Sequence, residues 1–289
     1  MNIEWYPGHI AKAKTEIKKE LKQVDIIIEL LDSRAPISTK TDFANEILQN
    51  KKYLLILNKS DLADDDKNEY FLQYYRDKGY FTLLLQSNKN DISKVIKKNI
   101  ELLCKDIIEK QQDKGIKDYI LKAMLIGYPN VGKSTFINSY KKQKSQETKN
   151  MPGVTKKNQW VKITDNIYLL DTPGITETKF KNDTIGKNLI LINSINENLV
   201  AKQDICYEFI LFMLNNYKEL LYSRYKLTDN IVEKLKENEK DKDLALIIYA
   251  AIAKNIGAIK NNQTDYEKTA NIIINDFRTG KLGKITLDR

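Results

Sequence analysis

The sequence predicts an α/β domain built on a mainly parallel sheet, followed by a small all-α domain. Three observations point there. Apolar runs of strand length at 24–31, 53–57, 81–85 and 120–126 alternate with polar stretches of helical spacing such as 64–78 and 91–110, the pattern of right-handed strand–helix–strand crossovers. Two shorter runs, 159–163 and 167–171, lie too close together for a crossover and predict an antiparallel pair at one edge of the sheet. Beyond residue 180 the strand pattern fades, and segments 185–200, 203–222, 228–238, 243–256 and 265–278 carry apolar residues at three- and four-residue intervals. The expected division is therefore 1–179 and 180–289.

Bulk properties bound the function classes. A chain of 289 residues with 42% hydrophobic content can fill two cores. The net charge of +9 suggests a polyanionic partner such as nucleic acid. Residues 1–179 hold 31 Lys/Arg against 24 Asp/Glu, whereas 180–289 hold 17 against 15, so the positive excess gathers in the first domain. Cys104 and Cys206 stand far apart without metal-ligand spacing, and are expected to pack as small apolar residues of a protein in a reducing compartment. The longest apolar run, 244–253, is well short of the roughly 18 residues of a membrane span, and the N-terminal residues lack a signal-peptide core. A soluble, cytoplasmic protein with no membrane partner is expected, with a monomer as the default.

The strongest local signal is Gly127-Tyr128-Pro129-Asn130-Val131-Gly132-Lys133-Ser134, which follows an expected strand and opens an expected helix at 132–142. It fits G-x-x-x-x-G-K-[ST], and so predicts a P-loop NTPase domain. Its glycines let the backbone wrap a phosphate with N–H groups pointing inward. Contacts are expected from Asn130, Val131, Gly132, Lys133, Ser134 and Thr135, with Lys133 neutralising phosphate charge and Ser134 ligating Mg²⁺. Asp171-Thr172-Pro173-Gly174 ends the last strand. It brings the Asp171 carboxylate to the metal's water shell and the Gly174 amide to a γ-phosphate. Thr155, in Pro152-Gly153-Val154-Thr155, is the candidate switch I residue that covers Mg²⁺ when the γ-phosphate is present.

Asn58-Lys59-Ser60-Asp61 ends the strand 53–57, where α/β sheets bind ligands. The pattern N-K-x-D at that point indicates guanine. A carboxylate at Asp61 accepts from both N1–H and the 2-amino group of guanine, whereas adenine has no donor at N1 and no exocyclic amine at C2. Lys59 would lie along the base plane. Ser87, Asn88 and Lys89, after the strand 81–85, are similar to the S-A-K element that contacts the guanine O6. By itself Asn58–Asp61 is also an ordinary Asx-rich turn; beside a phosphate loop it reads as a GTP/GDP site.

Ordinary GTPases run phosphate loop, switch threonine, D-x-x-G, N-K-x-D, S-A-K. Here N-K-x-D and the 87–89 element precede the phosphate loop, Thr155 and Asp171–Gly174. The expected fold is thus a circularly permuted GTPase domain, its former termini joined through 91–110 and the connector 111–118.

With that order on the page, the chain resembles the ribosome biogenesis GTPase A family. The resemblance is carried by Trp5-Tyr6-Pro7-Gly8-His9-Ile10-Ala11-Lys12-Ala13, Asp32-Ser33-Arg34-Ala35-Pro36 and Asp276-Phe277-Arg278-Thr279-Gly280-Lys281-Leu282-Gly283, and spans the whole chain. It implies slow GTP hydrolysis stimulated by the ribosome, late assembly of the large (50S) subunit, and a helical C-terminal domain that contacts rRNA, with ribosomal proteins as further partners. Ile175 stands where many GTPases carry the polar residue that orients water. The resemblance implies His9, the only histidine, as the catalytic group that positions the water, although a histidine taken alone is ordinarily structural. It also raises two readings for Asn130: a ligand of K⁺ beside the phosphates, or a solvent-facing amide. Arg34 is a rival cation, better read as structural.

Between Lys133 and Lys162 stand eight lysines and one acid, Glu147, so this stretch is either a solvated face or a nucleotide-controlled contact to rRNA phosphates. Arg278, Lys281 and Lys284 make a second candidate phosphate-contacting segment, while Tyr222 and Tyr225 read as core. Where the family shows an apolar-aromatic stretch after switch II, this chain has Thr176-Glu177-Thr178-Lys179. Two alternatives stay open: a nucleotide-stabilised RNA-binding scaffold, and a permuted GTPase acting on another RNA or a small-subunit particle.

Overall fold

The computed structural model describes residues 7–48, 51–86, 92–141, 160–177, 180–196, 201–229 and 244–289. The chain divides into two compact units, Met1–Leu189 with Thr286–Arg289, and Ile190–Ile285. The border lies beyond the expected 179/180 because the helix Asp183–Leu191 contributes most of its length to the first unit. Residues Thr286–Arg289 return to that unit as well, which periodicity in a short segment does not reveal.

The first unit is a six-stranded sheet. Its elements are α1 (Pro7–Glu20), β1 (Ile26–Asp32), α2 (Asp42–Leu48), β2 (Lys52–Asn58), α3 (Asp65–Asp77), β3 (Phe81–Leu84), α4 (Ile92–Leu103), α5 (Lys105–Gln112), β4 (Leu121–Ile126), α6 (Lys133–Lys141), β5 (Trp160–Thr164), β6 (Ile167–Asp171) and α7 (Asp183–Leu191). The strand order is β3-β2-β1-β4-β6-β5. Every neighbouring pair is parallel except β5 with β6, which pair antiparallel at the edge as expected. All seven residues of β1 are buried, as a central strand covered on both faces requires.

One of those seven is a carboxylate. Glu29 is fully buried and accepts from the Thr41 backbone N–H and hydroxyl, both at 2.9 Å, from the Lys40 ammonium at 2.8 Å, and from the Tyr53 hydroxyl. Filling its acceptor sites in this way offsets the desolvation of a charge inside the sheet.

The expected single helix at 91–110 is two helices. Cys104, fully buried, takes φ −101° and ψ 16° between α4 and α5, and a hydrophobic repeat continues unbroken across such a turn. After α5 the connector is pinned where it meets the sheet: the Tyr119 hydroxyl and the Lys122 N–H each donate to the Asp25 carboxylate at 2.8 Å.

The second unit packs α8 (Lys202–Asn216), α9 (Lys218–Tyr225), α10 (Leu244–Asn255) and α11 (Tyr266–Arg278). Phe209 of α8 and Phe277 of α11 meet with ring centroids 5.1 Å apart. The expected helix 203–222 breaks at Tyr217, whose φ of −144° is not helical. Two short strands, β7 (Ile259–Lys260) and β8 (Gln263–Thr264), pair antiparallel through Asn261 and Asn262, both at positive φ. That turn is of the kind two-residue hairpins favour, and helical spacing on either side gives no sign of it. Segment 228–238 lies almost wholly outside the described residues.

Cys104 and Cys206 are buried free thiols, each pushed up to about 12 chiefly by burial. Among the described residues no helix is long and apolar enough to cross a membrane.

Candidate nucleotide-binding site

The strand order reverses between β1 and β4, and α/β sheets bind ligands beyond the strand ends at such a switch point. The phosphate loop follows β4 and N-K-x-D follows β2, one strand to the other side of β1.

Backbone shape defines the phosphate loop. Gly127 has φ +146° and Gly132 φ +107°. A Cβ on Gly127 would stand 2.5 Å from the Leu30 carbonyl oxygen, and one on Gly132 would stand 2.3 Å from Asn58 Nδ2. A side chain at Gly127 would therefore collide with fixed backbone, and one at Gly132 would be strained and would have to displace the Asn58 amide. Asn130 also sits at positive φ, 60°. Lys133, the first residue of α6, donates from Nζ to the Gly127 carbonyl at 2.9 Å and the Tyr128 carbonyl at 2.7 Å. Burial lowers its pKa to about 8, against the opposing charge of Asp171.

A cavity of about 680 Å³ opens over this loop. It is lined by Pro129, Asn130, Gly132, Lys133, Ser134 and Thr135 of the phosphate loop and α6, by Asp171, Thr172, Pro173 and Gly174, and by Lys59. The Thr172 hydroxyl donates to the Leu125 carbonyl at 2.5 Å, and the Ile175 N–H donates to the Gly127 carbonyl at 3.1 Å. D-T-P-G is thereby fastened alongside the phosphate loop. Gly174 is packed so closely that an added Cβ would meet Pro129 at 3.0 Å. The side chain of Ile175 is buried in the core.

N-K-x-D is joined to the same loop. Asn58 Nδ2 donates to the Val131 carbonyl at 2.8 Å, and Lys59 Nζ donates to the Asn130 carbonyl at 2.5 Å. Lys59 also pairs with Asp32 at 2.8 Å. Arg34 grips that same carboxylate through Nε at 2.9 Å and Nη2 at 2.7 Å, with its guanidinium buried. Burial works against the Asp32 charge, and Arg34 and Lys59 together outweigh it, holding the carboxyl well below the usual range. Burial likewise opposes the Arg34 charge, which Asp32 and then Asp61 support. Arg34 is thus a structural cation, engaged away from the cavity lining.

The expected residues divide as follows. Asn130, Gly132, Lys133, Ser134, Thr135, Asp171, Gly174 and Lys59 line one cavity. The side chain of Val131 is fully buried, which leaves its backbone as the part that the phosphate-loop expectation concerns. Asp61 lies half-buried on the turn Ser60–Leu62. Ser87, Asn88, Lys89 and Thr155 lie outside the described residues, as does most of the lysine-rich stretch. His9 belongs to the first turn of α1, and its side chain lies outside the described residues.

Asp32 is the residue whose part went unassigned at the sequence level; the signal was its place in Asp32-Ser33-Arg34. Glu177 is another, since its carboxylate accepts from Lys14 Nζ of α1 at 3.0 Å and from the Phe43 N–H of α2 at 3.2 Å. In the second unit Arg278 donates from Nε to the Leu191 carbonyl at 2.9 Å and from Nη2 to the Ile190 carbonyl at 2.7 Å. It serves the fold there rather than standing ready for phosphate. Lys281 and Lys284 are exposed, Tyr225 is buried, and Tyr222 is half-buried beneath the Lys218 ammonium.

For a divalent ion the cavity lining offers one carboxylate, Asp171, and the hydroxyls of Ser134 and Thr135, the Thr172 hydroxyl being bonded to the Leu125 carbonyl. Mg²⁺ is bound by such a small set of hard oxygen donors together with substrate phosphates, so these residues fit it.

Residues 122–252 match the family model described as 50S ribosome-binding GTPase. The chain is 35% identical to ribosome biogenesis GTPase A of Bacillus cereus, an alignment covering 100% of this chain and 94% of that one. It is 36% identical to the protein of the same name from Bacillus pumilus, covering 100% and 99%. Identity to mitochondrial ribosome-associated GTPase 1 of Mus musculus is 30%, covering 99% and 90%. Among solved structures, GDP-bound YlqF superposes with a TM-score of 0.63 at 21% identity, covering 95% of this chain and 98% of that one. GNP-bound YlqF from T. maritima gives 0.62 at 22% identity, covering 96% and 98%. These last two share the fold. On the strength of the full-length identity to its curated relatives, the chain belongs to the ribosome biogenesis GTPase A family.

Proposed function

We propose that this GTPase acts in late maturation of the large (50S) ribosomal subunit, binding rRNA in a nucleotide-dependent way. Membership of the family supports the ribosomal client, and the observation that carries the nucleotide part of the reading is the pair of hydrogen bonds from Asn58 and Lys59 to the carbonyls of Val131 and Asn130. They join a guanine motif and a phosphate motif into one site although more than seventy residues separate them in the chain.

In this reading Asp61 accepts the N1–H and 2-amino protons of guanine, Lys59 lies along the base, and Ser87, Asn88 and Lys89 meet the O6 edge. The amides from Asn130 to Thr135 surround the phosphates. Lys133 neutralises their charge with the ammonium that otherwise serves the Gly127 and Tyr128 carbonyls. Ser134, Thr155 and Asp171, the last through water, would hold Mg²⁺, which would neutralise phosphate charge. The Gly174 amide meets the γ-phosphate. Ile175 is committed to the core, so the attacking water needs another partner. We assign that part to His9, as a hydrogen-bonding group that orients the water. Asn130 is the proposed ligand of a K⁺ beside the phosphates.

The deciding measurement is GTP turnover with separated ribosomal subunits. Acceleration by the large subunit alone supports the assignment; acceleration by the small subunit instead, or by neither, favours the permuted GTPase of another particle or the RNA-binding scaffold. His9→Ala is expected to keep GTP affinity and lose most of the stimulated kcat, and an unchanged kcat removes His9 from the chemistry. Exchange of K⁺ for Na⁺ at constant ionic strength is expected to slow turnover, whereas equal rates would leave Asn130 an ordinary loop amide.

A further inference from the structure

We propose that the segment Thr286–Asp288 is a positioning element for guanine recognition, holding the loop that carries Lys59 and Asp61 from both of its flanks. The inference rests on the guanine-site reading above and adds to it residues more than 220 positions away in the chain.

Within the first unit this segment is buried: Thr286 is fully enclosed, and Leu287 and Asp288 nearly so. On one flank the Leu287 N–H donates to the Arg34 carbonyl at 2.7 Å, and the Thr286 hydroxyl lies 3.5 Å from the Ser33 carbonyl. Ser33 in turn donates its N–H to the Asn58 carbonyl at 2.8 Å, and Arg34 orients the Asp32 carboxylate that holds Lys59. On the other flank the Thr286 hydroxyl accepts from the Asp64 N–H at 3.2 Å. Asp64 caps α3 by accepting from Asp66 and Lys67, and Asn68 of that helix donates to the Ser60 carbonyl at 3.0 Å. Thr286 therefore bears on the Asn58–Asp61 loop from two sides: through Ser33, which is bonded to the Asn58 carbonyl, and through Asp64, three residues past Asp61.

Asp288 anchors the segment. Its carboxylate accepts from the Ile37 N–H at 2.7 Å, the Ser38 N–H at 2.9 Å, the Ser38 hydroxyl at 2.6 Å and Asn188 Nδ2 at 2.9 Å. Donors from two separate parts of the unit fix it in one register, which places Thr286 two residues earlier.

The loop has reason to need such support. Lys59 is held at φ 59°, a left-handed conformation that a residue with a side chain keeps only when its surroundings over-determine it. Asp61 has to meet two donors on one rigid base edge. A loop loosened at its flanks loses the second of those bonds while the phosphate loop, shaped by its own glycines, keeps its geometry.

The test compares GDP, inosine diphosphate and pyrophosphate as ligands of the full chain. Inosine diphosphate lacks the 2-amino group, so the GDP-to-inosine ratio reports the placement of Asp61, and pyrophosphate reports the phosphate loop alone. Thr286→Val is expected to lower GDP affinity about five-fold, the worth of roughly one hydrogen bond, to compress the GDP-to-inosine ratio, and to leave pyrophosphate affinity within about two-fold. Thr286→Ser, which restores the hydroxyl, is expected to restore the ratio. Asp288→Asn reads the same three affinities through the anchor and serves should Thr286→Val fail to fold. Equal losses for all three ligands, or an unchanged ratio, would overturn the inference by reducing the segment to ordinary packing. A wild-type chain with no preference for GDP over inosine diphosphate would instead overturn the guanine reading on which it rests.

Discussion

The phosphate loop and the guanine loop are joined by two hydrogen bonds, yet they keep their shapes by different means. Gly127–Ser134 is shaped from within: two glycines and Asn130 at positive φ, and Lys133 bonded to carbonyls five and six residues behind it. Asn58–Asp61 is shaped from outside, by Asp32 and Arg34 below Lys59, by Asn68 on Ser60, and by the carbonyls of residues 130 and 131. The first loop is local chemistry written in eight consecutive residues. The second is an assembly of distant side chains, and so is open to disruption by substitutions far from any nucleotide.

Three experiments sharpen or break that contrast. The largest effect is expected from Asp32→Ala, which strands a buried guanidinium and releases Lys59. A loss of about 3–5 kcal/mol in unfolding free energy follows from leaving such a charge unpaired, readable as a shift in denaturation midpoint. A midpoint equal to wild type would mean that the guanine loop is as self-sufficient as its neighbour.

Gly132→Ala attacks the other loop. The new methyl would stand 2.3 Å from Asn58 Nδ2 on a backbone at φ +107°, a strain of about 2–3 kcal/mol. Calorimetric titration should show GDP affinity reduced by roughly thirty- to a hundred-and-fifty-fold. Retained affinity would show that the junction between the loops yields.

The smallest effect near neutral pH concerns protons. Burial lowers the pKa of Lys133 to about 8, and nucleotide phosphates favour its charged form, so binding raises that pKa and takes up a proton above it. GDP affinity attributable to this group is therefore flat below pH 8 and falls above it, approaching one decade per pH unit. Asp32, held charged well below the usual carboxylate range, contributes no slope there. A titration flat to about pH 10 would show that Lys133 keeps its proton in the unliganded protein.

Much of this was legible in advance. Alternating apolar runs predicted the parallel sheet, and the tight spacing of 159–163 and 167–171 predicted its antiparallel edge, because the side-chain period and the connection length are local quantities. The G-x-x-x-x-G-K-S run and D-T-P-G announced the cavity for the same reason. What escaped has a common cause. The break at Cys104 leaves hydrophobic spacing intact, and the Asn261–Asn262 turn is too short to interrupt a helical pattern. Arg278 looks like a free surface cation until Ile190 and Leu191 are seen to take its donors.

Motif order needs no coordinates: that N-K-x-D precedes the phosphate loop, and with it the permuted domain, follows from residue types and their sequence positions. The clamp around that motif depends on the folded chain. Thr286 and Asp288 carry no signal in their own neighbourhoods, because their bonds to Ser33, Ile37 and Ser38 exist only once segments some 250 residues apart have been brought into contact.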